Sequence, residues 1–223
     1  MLKKIAIGTA GLLVVLLLGT GVVLVVTAPA PPPEESASAT WLAAGPFTVG
    51  ESELVLVDTS RSTAANRDFP GAPERTLITT MWYPEEAEGN LPLVIHGHGL
   101  ASSRNDLAYM ARHLASYGYV VAAPDFPLTN GAAPGGPNPD DLSNQPADVS
   151  YLIDAMLALS GDAKPFVGEI DLNRIGLTGY SLGGLTVTLA TFHPRWRDER
   201  VAATVSIAGP AAVFTEEFYA TAE

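Results

Sequence analysis

The chain has 223 residues, 12 of them Lys or Arg and 24 Asp or Glu, a formal charge of −12. Hydrophobic residues make up 47% and charged residues 16%, an apolar share that supports a folded core and excludes wholesale disorder. The acidity excludes a nucleic-acid partner, because phosphate contacts need clustered Lys and Arg. The absence of cysteine excludes a disulfide framework, a thiolate metal site and a cysteine nucleophile.

Lys3 and Lys4 precede Ile5 to Val26, a run of 22 residues without charge, Pro or His. As a helix it spans about 33 Å, enough for a hydrocarbon core of about 30 Å. A cleavable signal has a shorter apolar stretch. The candidate site Ala28-Pro29-Ala30 is followed by Pro31. An uncleaved signal-anchor over residues 1–27 is therefore expected, with a cleaved signal as the alternative. The positive-inside rule puts the two lysines in the cytoplasm and the remainder outside, so the expected location is the cell envelope, membrane-anchored or secreted. Residues 28–40 hold four prolines with Glu, Ser and Ala and read as a semi-extended tether.

From residue 41 to 223 the pattern is that of one α/β domain. Glu53 to Val57 alternates apolar and polar residues and predicts a strand. Thr76 to Tyr83 is β-branched and aromatic, a second strand closed by Pro84. Leu91 to Ile95 is a short apolar run of the kind buried on both faces. Asn105 to Tyr117 carries apolar residues at helical spacing, and Gly118 stops it. Tyr119 to Ala123 is a further buried strand, and Leu128 to Pro139 is a Gly- and Pro-rich loop. Pro146 to Leu159 predicts a helix, Arg174 to Thr178 a strand, Leu182 to Phe192 a helix, and Val201 to Ala208 a strand. Phe214 to Ala222 has the makings of one more helix. Strands alternating with helices predict a mostly parallel sheet covered on both faces.

Gly179-Tyr180-Ser181-Leu182-Gly183 matches G-x-S-x-G, and the match has its required context, a buried strand leading in and a helix leading out. Such a turn strains the nucleophile, and its glycines leave room where chain would collide. Ser181 is thereby expected at the C-terminal edge of the sheet, near the positive end of a helix dipole. A hydroxyl also needs an oxyanion hole and a base. His96-Gly97-His98-Gly99-Leu100 follows a strand at the same edge and offers backbone N–H groups. Leu182, after the nucleophile, offers the second.

The segments Pro92-Leu-Val-Ile-His-Gly-His-Gly-Leu100, Leu114-Ala-Ser-Tyr-Gly-Tyr-Val-Val-Ala-Ala-Pro-Asp125 and Asn173-Arg-Ile-Gly-Leu-Thr-Gly-Tyr-Ser-Leu-Gly-Gly184 resemble the α/β-hydrolase superfamily. They are most similar to its dienelactone-hydrolase-like and platelet-activating-factor-acetylhydrolase-like bacterial serine esterases, with polyester-cleaving cutinase-type enzymes nearby. The resemblance spans about Arg75 to Gly209. It implies that the Leu100 N–H of His98-Gly99-Leu100 is the first oxyanion donor. True dienelactone hydrolases use cysteine, so Ser181 favours ordinary ester hydrolysis of a small-molecule, lipid or polyester substrate, with no cofactor.

The remaining candidates read as structural. His96 and His98 lack a third metal ligand nearby and suit loop structure. His113 is expected to face solvent, and Asp125 to pin its loop. Trp82 and Tyr83 suit the core. Asp140 and Asp141 suit a solvated helix lead-in. His193 and Asp198 lie downstream of Ser181, but His193 falls about 18 Å away along the helix, and Asp198 falls at the wrong edge. Their order is also reversed for this fold. The chain is therefore expected to be an N-terminal fragment, inactive alone, whose Asp/His pair lies beyond Glu223. A noncatalytic envelope scaffold, an acyltransferase and a peptidase are the rival readings.

Overall fold

The computed structural model describes residues 32–159 and 165–210. The apolar run Ile5–Val26 and the expected helix Phe214–Ala222 lie outside them. Among the described residues no helix is long and apolar enough to cross a membrane. The chain separates into two compact units, Met1–Ala43 and Ala44–Glu223.

In the first unit, the last residues of the expected tether are helical where an extended chain was expected. Ala37–Leu42 forms the short helix α1. The cause is local: Ser36 Oγ accepts the Ala39 N–H at 3.1 Å, an N-cap that satisfies one of the orphan donors of a first turn.

The second unit holds a six-stranded sheet in the order β1-β2-β4-β3-β5-β6. The strands are β1 (Val49–Asp58), β2 (Arg75–Pro84), β3 (Asn90–Gly97), β4 (Val120–Asp125), β5 (Glu169–Tyr180) and β6 (Val201–Ile207). Helix α2 (Ala108–Ser116) joins β3 to β4. A 3-10 helix (Pro139–Asn144) leads into α3 (Gln145–Ala158), and α4 (Leu182–Phe192) joins β5 to β6. β4, β3, β5 and β6 are parallel, as crossover helices require. β1 and β2 run antiparallel to each other, and β2 antiparallel to β4. No helix intervenes between β1 and β2, so nothing carries the chain back for a parallel return. The start of β2 therefore lies at the C-terminal edge of the parallel strands, where Ile78 faces Asp125.

Both faces of the central strands are covered, as their continuous apolar runs predict. Met81, Leu93, Ile95, Val120 and Ala122 pack with Leu152, Ile153, Met156 and Val187 from α3 and α4. Their sequence neighbours Trp82, Val94, Val121 and Ala123 pack with Ala111 and Ala115 from α2. This alternation is the period-2 signature of a strand read from both sides. Trp82 is buried and donates Nε1–H to Glu51 Oε2 at 2.8 Å.

The chain leaves β3 toward β4 on one side, while β5 lies on the other. The crevice between such divergent connections, outside the C-terminal strand ends, is where open α/β sheets bind ligands. Both sequence motifs end there.

Candidate active site

β5 ends at Tyr180, and α4 begins at Leu182. Between them Ser181 has φ 53° and ψ −114°, a conformation that L-residues hold only when the surroundings impose it. Two bonds impose it. Ser181 N–H donates to Ile207 O on β6 at 2.9 Å, and Ser181 O accepts the Leu185 N–H at 3.1 Å as the first turn of α4.

The motif glycines show why no side chain fits. A Cβ on Gly183 would lie 2.0 Å from Gly97 O and 2.6 Å from His98 O, and one on Gly179 would lie 2.2 Å from Gly183 O. Backbone therefore packs directly on backbone, the end of β3 against the first turn of α4. On the next residue out, a Cβ on Gly99 would lie 3.2 Å from Tyr180 Cδ1 and 3.5 Å from Ser181 Cβ. The fold thus brings His98, Gly99, Gly179, Ser181 and Gly183 together. Leu182 opens the helix, where backbone N–H groups have no partner within the helix, and Leu100 follows Gly99 and is 43% exposed.

His98 is a structural residue of this loop. The Phe126 N–H reaches its Nε2 at 3.0 Å, and a backbone amide can only donate. Nε2 is therefore the acceptor, and Nδ1 carries the proton, donated to Gly99 O at 2.7 Å. Both ring nitrogens are committed. Burial pushes the imidazole below its ordinary pKa against the raising effect of the Gly99 carbonyl, so His98 is neutral. His96 is buried and lies 2.9 Å from Asp106 Oδ1 through Nε2.

Asp106 carries no motif signal in the sequence, yet it organises this loop. Its Oδ2 accepts from Gly99 N–H and Ser102 Oγ, each at 3.3 Å. Burial acts most strongly and raises its pKa, but the bond to His96, the charge of that imidazole and the Gly99 N–H together outweigh it and hold the carboxyl below the ordinary carboxylate value. Asp125 pins the same loop: its Oδ1 accepts the Arg104 N–H at 2.7 Å, and its Oδ2 pairs with the Arg104 guanidinium. The loop after β4 closes over from the side, through Ala101 N–H to Thr129 O at 2.8 Å and Gly131 N–H to Ser102 O at 2.7 Å. Beside it, Phe69, Ile78, Arg104, Pro127 and Asn130 line a cleft of about 380 Å³.

One expected surface pair is otherwise. Asp141 is not solvated: it is 3% exposed and takes two bonds from Arg75, at 3.1 and 2.9 Å. Arg75, fully buried, also holds Asp148 at 2.8 and 2.7 Å. Arg61 extends the cluster to Asp148 at 2.8 Å and Asp58 at 2.7 Å. A buried guanidinium is tolerable only with its charge and donors matched. Burial acts to lower the pKa of Arg75, and the bonds from Asp148 and Asp141 raise it above the usual value. Next to this cluster, buried Gln145 receives the Thr186 hydroxyl of α4 and donates to Thr129 Oγ1 at 2.7 Å.

All four histidines fall among the described residues. His113 is half-buried against Tyr117, with ring centroids 5.0 Å apart, and does not stand free in solvent. His193 stacks on Trp196 at 4.2 Å. It caps the far end of the 11-residue α4, about 16 Å of helix from Ser181. Asp198 is bonded to Arg200 at 2.9 and 2.6 Å, and that bond lowers its pKa to about 2. None of these contacts reaches Ser181.

Residues 28–208 match the family model described as PETase, PET hydrolase-like. A bis(hydroxyethyl) terephthalate hydrolase from Streptomyces coelicolor is 29% identical over 187 residues, which cover 82% of this chain and 52% of the relative. The chain thus spans about half the length of that curated relative. A ferulic acid esterase from Streptomyces cinnamoneus shares the fold with a TM-score of 0.59 at 24% identity, over 74% of this chain and 61% of the other.

Proposed function

The chain belongs to the PET hydrolase-like family, and on that premise we propose that it serves a serine-dependent carboxylic ester hydrolase. The observation that carries the reading is the strained Ser181 at φ 53°, seated against the Gly97–Gly99 loop at a topological switch point. In this reading Ser181 Oγ attacks the ester carbonyl carbon and passes its proton to a base. The carbonyl oxygen becomes an oxyanion that accepts from the Leu100 and Leu182 N–H groups. Collapse expels the alcohol with the proton returned by the base, and water then attacks the acyl-serine to release the acid.

The base and its carboxylate are assigned to segments outside the described residues, in the chain order Ser, Asp or Glu, His. The name of the Streptomyces coelicolor relative supports esters of aromatic acids with small hydroxyalkyl alcohols as the substrate class. Ile5–Val26 supports an extracytoplasmic site of action, anchored through that segment.

The test is Ser181→Ala in the full-length protein. It is expected to abolish hydrolysis of bis(hydroxyethyl) terephthalate and labelling by a serine-directed phosphonate. Unchanged labelling would refute the assignment.

A further inference from the structure

We propose that Asp106 is the positioning residue of the oxyanion loop: its carboxylate holds the backbone so that the Leu100 N–H keeps a single direction toward Ser181. The inference rests on the serine esterase reading and adds to it a residue that no motif marks.

The loop leaves β3 at Gly97, and the carbonyl of its Gly99–Leu100 peptide accepts His98 Nδ1–H at 2.7 Å and Ser102 N–H at 3.1 Å. Asp106 closes it into a ring. One carboxylate oxygen takes His96 Nε2 at 2.9 Å, and the other takes Gly99 N–H and Ser102 Oγ, both at 3.3 Å. The side of Leu100 toward the chain start is thus fixed by the Gly99 amide. The opposite side is fixed by Ala101, whose N–H donates to Thr129 O at 2.8 Å and whose φ is 58°. A non-glycine residue in that region relaxes when its restraints are removed. Leu100 sits between the two clamps, and a Cβ on Gly99 would lie 3.5 Å from Ser181 Cβ. A rotation of the Gly99–Leu100 peptide therefore moves the donor relative to the nucleophile.

The donor pattern makes a carboxylate the matching group. Gly99 N–H and Ser102 O–H both donate. His96 Nδ1 is buried without a hydrogen-bond partner, which favours the tautomer that keeps the proton on Nε2 and donates it to Asp106. Three donors thus converge on one acceptor-only side chain. An Asn has one oxygen, so either its amide faces Gly99 N–H, donor against donor, or it forces a proton onto the enclosed His96 Nδ1.

The experiment compares Asp106→Asn and Ser102→Ala with the parent full-length protein, on bis(hydroxyethyl) terephthalate. Asp106→Asn is expected to lower kcat about tenfold to hundredfold, the range for a misplaced or weakened oxyanion donor, with KM within about twofold. Binding of a tetrahedral boronate should weaken by a similar factor, while binding of the product acid should not. A general structural role would instead reduce active protein and leave the kcat of the folded fraction intact, and that result would overturn the proposal. If Asp106→Asn does not fold, Ser102→Ala decides: it removes one of three donors, and a fall in kcat of about twofold to fivefold at unchanged KM is expected, no change being the refutation. Ser181→Ala is run alongside, because turnover that survives it overturns the esterase reading itself, whatever Asp106 does.

Discussion

Replacing Arg75 by methionine would remove four N–H···O bonds from a place that solvent does not reach. The side chains of Arg75 and Asp148 are 0% exposed and that of Asp141 is 1% exposed. Asp148 keeps Arg61 at 2.8 Å, whereas Asp141 is left with the Asn144 amide at 2.7 Å and no cation. Breaking one partner out of a buried ion cluster costs about 3–5 kcal/mol, against a total stability of about 5–15 kcal/mol for a domain. Equilibrium urea unfolding of the full-length protein at pH 7 should show the unfolding free energy falling by that amount, through a lower midpoint with the slope preserved. The deficit should also depend on pH. Burial already raises the Asp148 pKa against the opposing bond to Arg75, and without Arg75 that opposition is gone, so the folded variant binds a proton over a wider pH range above the unfolded value than the parent does. Stability of the variant therefore rises as pH falls toward 4, and the gap to the parent closes. Adding Asp141→Leu and Asp148→Leu should recover at least about half of the loss, because a matched apolar set replaces a broken polar one. A deficit below about 1 kcal/mol at pH 7, or one that grows on acidification, would refute the account.

Gly183→Ala puts a Cβ 2.0 Å from Gly97 O, so either the elbow or the end of β3 must move. Turnover should fall more than about a hundredfold, given the sensitivity of such sites to a displacement near 1 Å; a protein with full activity would show that the contact yields freely. The Asp198–Arg200 pair should matter in acid. Its folded pKa of about 2 lies below the unfolded value, so the stabilisation is complete above pH 4 and is lost as pH falls from about 4 to 2. The shift corresponds to about 2 kcal/mol at most, and solvent screening at Arg200, whose side chain is 34% exposed, brings it to about 1 kcal/mol. Asp198→Asn should flatten acid unfolding in that window, and an unchanged acid limb would count against the pair.

The parts of the site that sequence reveals are those built from short-range constraints. The elbow is legible because strand, tight turn and helix are consecutive, and the helix bounds Leu182 and Phe192 agree with the periodic pattern. The loop at His98 to Leu100 is legible because its glycines sit directly after a buried strand. What escapes is what depends on distant partners. Arg75 finds Asp141 and Asp148 across 66 and 73 residues, so Asp141 reads from its neighbours as a surface charge. Asp106 reads as part of the helix expected from Asn105, whereas the helix begins at Ala108, and nothing local shows that three donors converge on it. The antiparallel direction of β1 and β2 escapes because periodicity describes a strand without its sense. The short α1 follows from a Ser36 cap that the surrounding prolines mask.

The amide of Ser181 is held by a carbonyl made later in the chain, Ile207 O on β6. The helix it leads into is clasped from the same quarter: Ser206 Oγ donates to Gly184 O at 2.9 Å, and Thr191 and Thr204 hydroxyls meet at 2.6 Å. A backbone conformation of this kind costs about 1–3 kcal/mol unless something opposes its relaxation. A ribosome makes β5 and α4 first, and at that stage Ser181 has only the Leu185 N–H of its two bonds. The second restraint on its backbone is in place only when β6 has been made and docked. The full set of restraints on this turn thus follows the order in which the chain is built.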